Sequence, residues 1–172
     1  GVLWIGTWGY GPTWAYFRFA LDEELNAAAT VIDVRLRLYG LGTCQIELCG
    51  GDVGLCEPWD VPTRQLAIIA DCSAEVLQPA SRDDAPDLSD RSFCEAVQTW
   101  PLDLDWPEDD WAESPDLSPA LREILATHGT RAAGSPLLLW LRGEGYDECA
   151  EVMAADSGHT VGQPAELRIV WQ

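Results

Sequence analysis

The sequence contains no lysine, and its ten basic residues are all arginines. They are opposed by 29 acidic residues, so the net charge of the 172-residue chain is −19. This charge repels the phosphates of DNA and RNA, which argues against a nucleic-acid partner. It argues equally against polyanionic glycans, unless a divalent cation lies between the two surfaces.

Long apolar runs are also missing. No stretch approaches about 18 uninterrupted apolar residues, so we expect no insertion into a membrane. No basic stretch precedes the first apolar residues, so the start is not typical of a signal peptide, and we expect a mature, processed or truncated chain. Apolar residues still make up 47% of the sequence, which predicts a folded structure. The length suits one domain, residues 1–172.

Six cysteines, at positions 44, 49, 56, 72, 94 and 149, fit disulfide bonds formed in an oxidising compartment. We expect a bond between Cys49 and Cys56, which flank a Gly-Gly turn, and a second between Cys94 and Cys149. Buried free thiols and a zinc site are the alternatives. Zinc is the less favoured, since the sequence has no Cys-x-x-Cys and neither histidine lies at ligand spacing from a cysteine.

The stretch from residue 14 to residue 40 predicts the centre of the fold. Residues 16–21 and 31–39 both alternate in the way of strands with one buried face. In the second strand we expect two faces, one with Val31, Asp33, Arg35, Arg37 and Tyr39, the other with Ile32, Val34, Leu36 and Leu38. An aliphatic face opposite an arginine face is typical of an antiparallel sheet covered on one side. We therefore expect a β-sandwich with this pair of strands at its centre.

Shorter strands are predicted at residues 2–5, 44–49, 65–71, 136–142, 149–155 and 166–171. One short amphipathic helix is predicted at residues 118–128. Ser118 can cap it, and Pro119 can occupy its first position, where a missing N–H costs nothing. Its apolar stripe contains Leu117, Leu121, Ile124 and Leu125, and Gly129 ends it.

The order of these motifs resembles that of the DNRLRE-type modules. The resemblance rests on an aromatic-x-Arg-Phe strand at residues 16–19, a T-V-x-x-V-x-L-R-L-Y strand at residues 30–39, S-P-D-L before the helix, and Pro164, Leu167, Ile169 and Trp171 at the end. Those modules are jelly-roll β-sandwiches of bacterial surface and secreted proteins, related to some carbohydrate-binding modules. The resemblance implies a jelly-roll-like fold, no catalytic activity, and an opening strand before residue 2 that pairs at a sheet edge.

Nine tryptophans are many for this length. One cluster surrounds a glycine-rich loop and another surrounds an acidic segment. Exposed rings stack on sugar faces, and carboxylates nearby bind hydroxyls. The candidates for carbohydrate binding are therefore Trp8, Tyr10, Trp14, Trp106 and Trp111. The alternative is that rings fill the core, which applies most to Trp100, Trp140 and Trp171, since these lie in strands.

The acidic run is the candidate site for a metal ion. It offers five carboxylates, from Asp103, Asp105, Glu108, Asp109 and Asp110, in a predicted loop. Calcium takes about six to eight hard oxygen ligands, and such loops can hold it. The EF-hand order is missing, so a solvated acidic loop is the alternative. No cofactor is required.

No catalytic group is predicted. Asp156, Ser157 and His159 are neighbours in sequence, so they are expected to form a hairpin turn and not a triad. We expect a non-catalytic structural and adhesion module of an extracellular, cell or particle (fibre or capsid) surface. It would assemble with other copies or neighbouring subunits near residues 2–5. A carbohydrate-binding module that uses loop aromatics is the alternative.

Overall fold

The computed structural model describes residues 2–8, 11–12, 14–45, 64–73, 91–102, 106–144, 150–155 and 163–172. The described residues are mostly β. These strands form two antiparallel sheets, and the described residues contain one short helix. The predicted fold class, a β-sandwich with one short helix, is confirmed. Its jelly-roll connectivity stays a prediction.

Ten strands and the helix follow one another along the described residues. They are β1 Val2–Trp8, β2 Gly11–Pro12, β3 Trp14–Ala20, β4 Val31–Gln45, β5 Arg64–Ala70, β6 Gln98–Leu102, β7 Glu108–Glu113, α1 Ser118–His128, β8 Pro136–Glu144, β9 Ala150–Ala155 and β10 Glu166–Trp171. The six-stranded sheet has the order β10-β4-β9-β1-β2, with β7 also paired to β4. The four-stranded sheet has the order β3-β8-β5-β6.

The two strands expected at the centre of the sandwich lie in different sheets. β4 is central in the six-stranded sheet, where it pairs with β10, β7 and β9. β3 lies at the edge of the four-stranded sheet, and the described residues pair it with β8 alone. The prediction was therefore right for β4 and wrong for β3. Residues 21–30 pass from one sheet to the other, and Leu25 is anchored on the way by two main-chain hydrogen bonds with Arg131.

The alternation predicted for β4 is confirmed from Asp33 onward and wrong at its start. Val34, Leu36 and Leu38 are buried, and Asp33, Arg35, Arg37 and Tyr39 face outward. Val31, however, is 1% exposed and Ile32 is 48% exposed. On β10, Val170 lies opposite Asp33 and Trp171 opposite Val31, so Ile32 is one extra residue on β4. This bulge reverses the alternation.

The main core lies between the inner faces of the sheets and is closed by the helix. It includes Phe17 of β3, Leu36 of β4, Leu66 of β5, Leu139 of β8 and Ile124 of α1. A second apolar cluster lies on the outer side of the four-stranded sheet and contains Ala67, Ile69, Leu138 and Trp140, with Trp14 and Phe93 against them. The four-stranded sheet is thus apolar on both sides, which suits a sheet covered on both faces.

The helix has the predicted bounds, but its cap is a different residue. Ser118 is its first residue and makes no capping bond to the helix. Instead, Asp116 accepts hydrogen bonds from Ser118 N at 2.9 Å and Ser118 Oγ at 2.7 Å, and from Val34 N at 3.1 Å. One carboxylate therefore satisfies the start of α1 and ties it to β4. Gly129 ends the helix, as expected, with φ of 74°.

The remaining predicted strands agree with β1, β5, β8, β9 and β10 to within a few residues. Two predictions were wrong. Cys44 belongs to β4, which continues to Gln45 past an irregularity between Gly40 and Thr43, so no separate strand begins there. The end of the acidic run forms β7, although a loop was expected. Residues 46–49 lie outside the described residues.

Candidate functional site

The sandwich is open between the edge strands β3 and β10. A cleft of about 510 Å³ lies there. Its apolar lining comes from Phe19 on β3, from Leu21 and Leu137, and from Leu167, Ile169 and Trp171 on β10. Segment 21–25 and the polar side chains of β10 form its rim. The cleft is therefore a gap in the cover of the core and not an enclosed cavity.

The inner side of β10 shows how the core is left open. Leu167, Ile169 and Trp171 pack against the main core, as Phe19 does from β3, yet all four are only half-buried. On the neighbouring strand β4, Leu36 is 0% exposed. In the described part of the chain, β10 pairs only with β4, and β3 only with β8. Each of these strands therefore has one edge that no described strand covers. The N–H and C=O groups of such an edge can form hydrogen bonds with a further strand.

The rim of the cleft carries an excess of negative charge. Among the described residues, its charged side chains are Asp22, Glu23 and Glu166 against a single arginine, Arg168. Arg37 Nη1 lies 2.7 Å from Glu166 Oε2 and neutralises that acid. Among the described residues, Asp22 and Glu23 are exposed and take part in no ion pair. Their two charges therefore act on whatever approaches the cleft.

A second surface lies on the outer side of the six-stranded sheet. We call it the outer face, and it consists of Arg35, Arg37, Tyr39, Trp111, Glu113 and Glu166. Strand register builds it, since Glu166, Arg37 and Glu113 form one row across β10, β4 and β7. Tyr39 and Trp111 form the next row. Two arginines and two glutamates leave these six residues with no net charge, and Asp33, which also faces outward, is paired with Arg35.

Trp111 is held in place by its neighbours on the outer face. The guanidinium carbon of Arg37 lies 4.4 Å from the centroid of the Trp111 ring. Tyr39 meets the same ring edge-on with centroids 5.7 Å apart, and its hydroxyl donates to Asp109 O at 2.9 Å. Trp111 stays half-buried, so part of the ring is exposed. A fixed ring beside paired polar groups can stack on one side of a planar or sugar-like ligand.

The predicted carbohydrate-binding residues do not form one site. Trp111 lies on the outer face, whereas half-buried Trp14 lies on the far side of the other sheet, against Phe93 and Trp140. Trp106 is 8% exposed and packs on Trp100 with ring centroids 5.5 Å apart. Its prediction as a binding residue was wrong, because it fills the core. Tyr10 and the side chain of Trp8 lie outside the described residues.

The rings expected in the core behave mostly as predicted. Trp100 is 7% exposed and Trp140 is 3% exposed, so both are core residues. Trp171 is only half-buried, because it lines the open cleft. Residues 2–5, where contact with other chains was predicted, belong to β1, which the described residues pair with β9 along its length and with β2 at Thr7 and Trp8. That contact stays a prediction.

The described part of the acidic run lies on a strand. Glu108, Asp109 and Asp110 are exposed residues of β7, while Asp103 and Asp105 lie outside the described residues. Gly40 pairs with Asp110 and Leu41 with Glu108, so Asp109 is the extra residue of a bulge, with φ of 56°. Within the described ranges, these three carboxylates form no cluster with ligand atoms close enough to share an ion. Calcium binding by the whole run stays a prediction.

The described disulfide joins Cys72 to Cys94, so the predicted bond from Cys94 to Cys149 was wrong. The main chain decides this pairing. Cys72 N donates to Ser92 O at 2.7 Å, and Cys94 N donates to Ala70 O at 3.0 Å. These bonds bring the Cα atoms of the two cysteines to 5.0 Å, within the reach of a disulfide. Cys49 and Cys56 lie outside the described residues.

Glu123 lies beside the disulfide and completes a group that resembles a metal site. Its carboxylate oxygens and the two sulfurs lie within 4.8 Å of one another. The sulfurs are bonded to each other, however, and the carboxylate accepts main-chain hydrogen bonds from Glu95 at 2.8 Å and Ala96 at 2.9 Å. His128 Nε2 lies 2.7 Å from Cys72 O on the same side. Glu123 therefore joins α1 to the segment before β6, His128 joins α1 to the segment after β5, and the disulfide joins these two segments, so the described role of the group is structural.

Sequence reasoning missed the cleft and the pairing on the outer face. The alternating residues of β10 predict one buried side, but nothing in the pattern tells an edge strand from a central one. The contact of Arg37 with Trp111 depends on the register of β4 against β7, which joins residues more than seventy positions apart.

Asp156, Ser157 and His159 lie outside the described residues. The helical residues of the described ranges form no segment with the length and apolar character needed to cross a bilayer.

Comparison with protein-family models, with curated protein sequences and with solved structures finds no match to this chain.

Proposed function

We propose that this chain is a non-catalytic module of an extracellular or particle surface, and that it contributes structure and adhesion by assembling with other chains. Several groups that could do chemistry are engaged in holding the fold. Asp71 is paired with Arg91, Asp116 binds the start of α1, and Glu123 binds main-chain N–H groups. The disulfide between Cys72 and Cys94 supports an oxidising location.

The observation that carries this proposal is the open cleft between β3 and β10. Four inward-facing side chains, Phe19, Leu167, Ile169 and Trp171, belong to the core and are still half-exposed. A side chain of this size gains about 1.5–3 kcal/mol when it passes from full exposure to full burial, and each of these four would gain the fraction that corresponds to its remaining exposed surface. A segment of another chain that covers them would complete the core. Assembly through this cleft therefore gives the module a stable attachment without a catalytic site.

The test is selection of peptide ligands on the folded chain. A displayed library of extended peptides is expected to yield binders that the variant Ile169→Asp no longer holds. The matched control is Val97→Asp, since Val97 is apolar and 47% exposed but lies outside the cleft lining. In parallel, the mass of the chain in solution shows whether copies of the chain fill the cleft themselves. A monomer for which no peptide is selected would refute the proposal.

A second candidate function is recognition of a neutral saccharide by the outer face. Trp111 supports it, because its ring is fixed by Arg37 and Tyr39 and is still partly exposed. The paired arginines and glutamates nearby offer both donors and acceptors for hydroxyl groups. The absence of net charge among these six residues favours a neutral glycan over a polyanionic one.

A glycan array separates the two functions. If the outer face binds sugar, Trp111→Ala should remove binding, while Trp14→Ala, on the other sheet, should leave it unchanged. Loss of binding in Trp8→Ala or Tyr10→Ala, with Trp111→Ala unaffected, would instead support the glycine-rich loop that the sequence predicts. An array without any bound glycan would remove this second candidate and leave assembly through the cleft in place.

A further inference from the structure

We propose that the cleft between β3 and β10 accepts an extended segment of a cationic partner polypeptide, which adds as a strand along β10. The segment would have alternating apolar residues and lysines or arginines at its ends. This inference rests on the proposed function, which makes the cleft a docking surface, and it names the chemistry of the partner.

The free edge of β10 is the reason to expect that the bound segment is an extended strand. β10 has six residues, so its edge is about 20 Å long at about 3.3 Å per residue. Within the described residues the far edge of β10 has no partner strand, and an added strand would satisfy its main-chain groups. A small apolar molecule could cover the side chains but would leave those groups without hydrogen bonds.

Alternation gives the added strand its apolar side. Successive residues of a strand point to opposite faces, so every second side chain of the segment would enter the cleft. There it would contact the half-buried inner side of β10, formed by Leu167, Ile169 and Trp171, with Phe19 opposite on β3. The other side chains would lie beside the outward residues of β10, which include Glu166 and Arg168. Main-chain bonds would supply affinity, and the apolar side chains specificity.

Charge decides between a cationic partner and a second copy of this chain. Asp22 and Glu23 stand exposed on the rim, and the described residues give them no ion pair. The chain as a whole carries a charge of −19. Another copy would bring the same charge and be repelled, whereas lysines or arginines beside a short apolar stretch would be attracted. The charge of the rim therefore favours a partner of opposite sign.

The test uses two synthetic peptides on the whole chain. Both contain the same central stretch of alternating valine and threonine, and they differ only in two lysines or two glutamates at each end. At low salt we expect the lysine peptide to bind at least about tenfold more tightly than the glutamate peptide, with a smaller ratio at 0.5 M salt. Hydrogen exchange of β10 amides should slow in the complex, since their free edge becomes paired.

Two variants test the position of the bound strand. Asp22→Lys combined with Glu23→Lys should reduce the preference for the lysine peptide at least about threefold, on the scale of a rim charge change. Glu108→Lys, an exposed acid on β7, should leave the ratio unchanged. Both rim residues are exposed, so circular dichroism should show an intact fold. The comparison of the double rim variant with Glu108→Lys therefore locates the bound peptide even if Ile169→Asp fails to fold.

Four outcomes would overturn the inference. Equal binding of both peptides would refute the cationic partner but leave docking in the cleft intact. A multimer of the chain alone that Ile169→Asp dissociates would identify copies of the chain as the occupant, and would support the proposed function while refuting this inference. Binding of the lysine peptide without any change in the exchange of β10 amides would place the ligand elsewhere. Failure of every peptide on a monomeric chain would refute the proposed function as well.

Discussion

Asp71 and Arg91 form a buried ion pair that joins the end of β5 to the segment before β6. Arg91 Nη1 lies 2.5 Å from Asp71 Oδ2, and the side chains are 6% and 0% exposed respectively. Arg91 also lies over Trp140, with 4.8 Å between its guanidinium carbon and the ring centroid. The second oxygen of Asp71 accepts a hydrogen bond from Ser73 N at 2.8 Å. The Cys72–Cys94 disulfide follows directly, so two different links hold the same two segments together.

Loss of Asp71 should destabilise the protein strongly. The variant Asp71→Ala would remove the buried carboxylate that lies against Arg91, and breaking a buried ion pair costs about 3–5 kcal/mol. The control is Glu166→Ala, which breaks the ion pair with Arg37. In that pair the side chain of Glu166 is 50% exposed and that of Arg37 is 30% exposed. An exposed pair of that kind contributes about 0–1 kcal/mol. Urea unfolding measures both variants, and equal losses would contradict the difference in burial.

Removal of the disulfide should lower the stability of the fold. Cys72 and Cys94 are 22 residues apart, and the chain-entropy relation gives about 3 kcal/mol for a loop of this length. The double variant Cys72→Ser with Cys94→Ser should therefore unfold at lower urea concentration than the wild type. Peptide mapping without reductant should give a linked fragment with both cysteines. A fragment that joins Cys94 to Cys149 would disprove the described pairing.

Gly40 is expected to tolerate no side chain. A Cβ atom there would overlap the main-chain oxygen of Pro107, and Gly40 is buried in β4. Gly40→Ala should therefore cost about 1–3 kcal/mol and push segment 106–107 outward, so that Trp106 becomes more accessible to a quencher of its fluorescence. Gly134→Ala is the control, since a Cβ there would meet nothing within 4 Å although φ is 80°. Backbone strain should lower the free energy of unfolding of that variant by about 1–2 kcal/mol, and the quenching of Trp106 fluorescence should not increase. Equal quenching in both would contradict the expected clash.

The stability of the chain should fall in acid partly through Asp116. Burial raises the pKa of this carboxyl, but hydrogen bonds from Ser118 Oγ, Ser118 N and Val34 N, with the charge of Arg35, hold the pKa below its ordinary value of 3.8. Because the folded-state pKa is the lower one, the stabilisation is fully present above the ordinary value. It is lost as the pH falls through the lowered pKa.

The variant Asp116→Asn should show both effects of that carboxylate. It should lose about 1 kcal/mol near neutral pH, as loss of a helix-capping group does, and its unfolding free energy should depend less on pH below about 4. Glu24→Gln, which alters an exposed carboxylate, is the control and should keep the stability of the wild type near neutral pH. Urea unfolding between pH 3 and pH 7 measures all three proteins. An unchanged acid dependence in Asp116→Asn would contradict the role given to this residue.

Local patterns in the sequence were enough to predict several elements. The helix follows from the spacing of Leu121, Ile124 and Leu125, together with Pro119 and Gly129, because helical periodicity and chain termination are local properties. β10 follows from the alternation of polar and apolar residues that begins at Glu166 and continues through Ile169. The outward arginines and inward leucines of β4 follow from the same rule, and the acidic composition alone argued against nucleic acid.

The tertiary structure decided everything that depends on which strand lies beside which. The bulge at Ile32 arises where β4 pairs with β10, and the pairing of Cys94 arises where segment 70–72 bonds to segment 92–94. Trp106 was a candidate binding residue and instead packs on Trp100, since the segment before β7 brings its ring into the core. The cleft is the strongest case. The side chains of β10 have the pattern of a buried strand, and they remain half-exposed because no described strand pairs with its outer edge. A sequence states which side of a strand is apolar, but only the arrangement of all strands determines how far that side is covered.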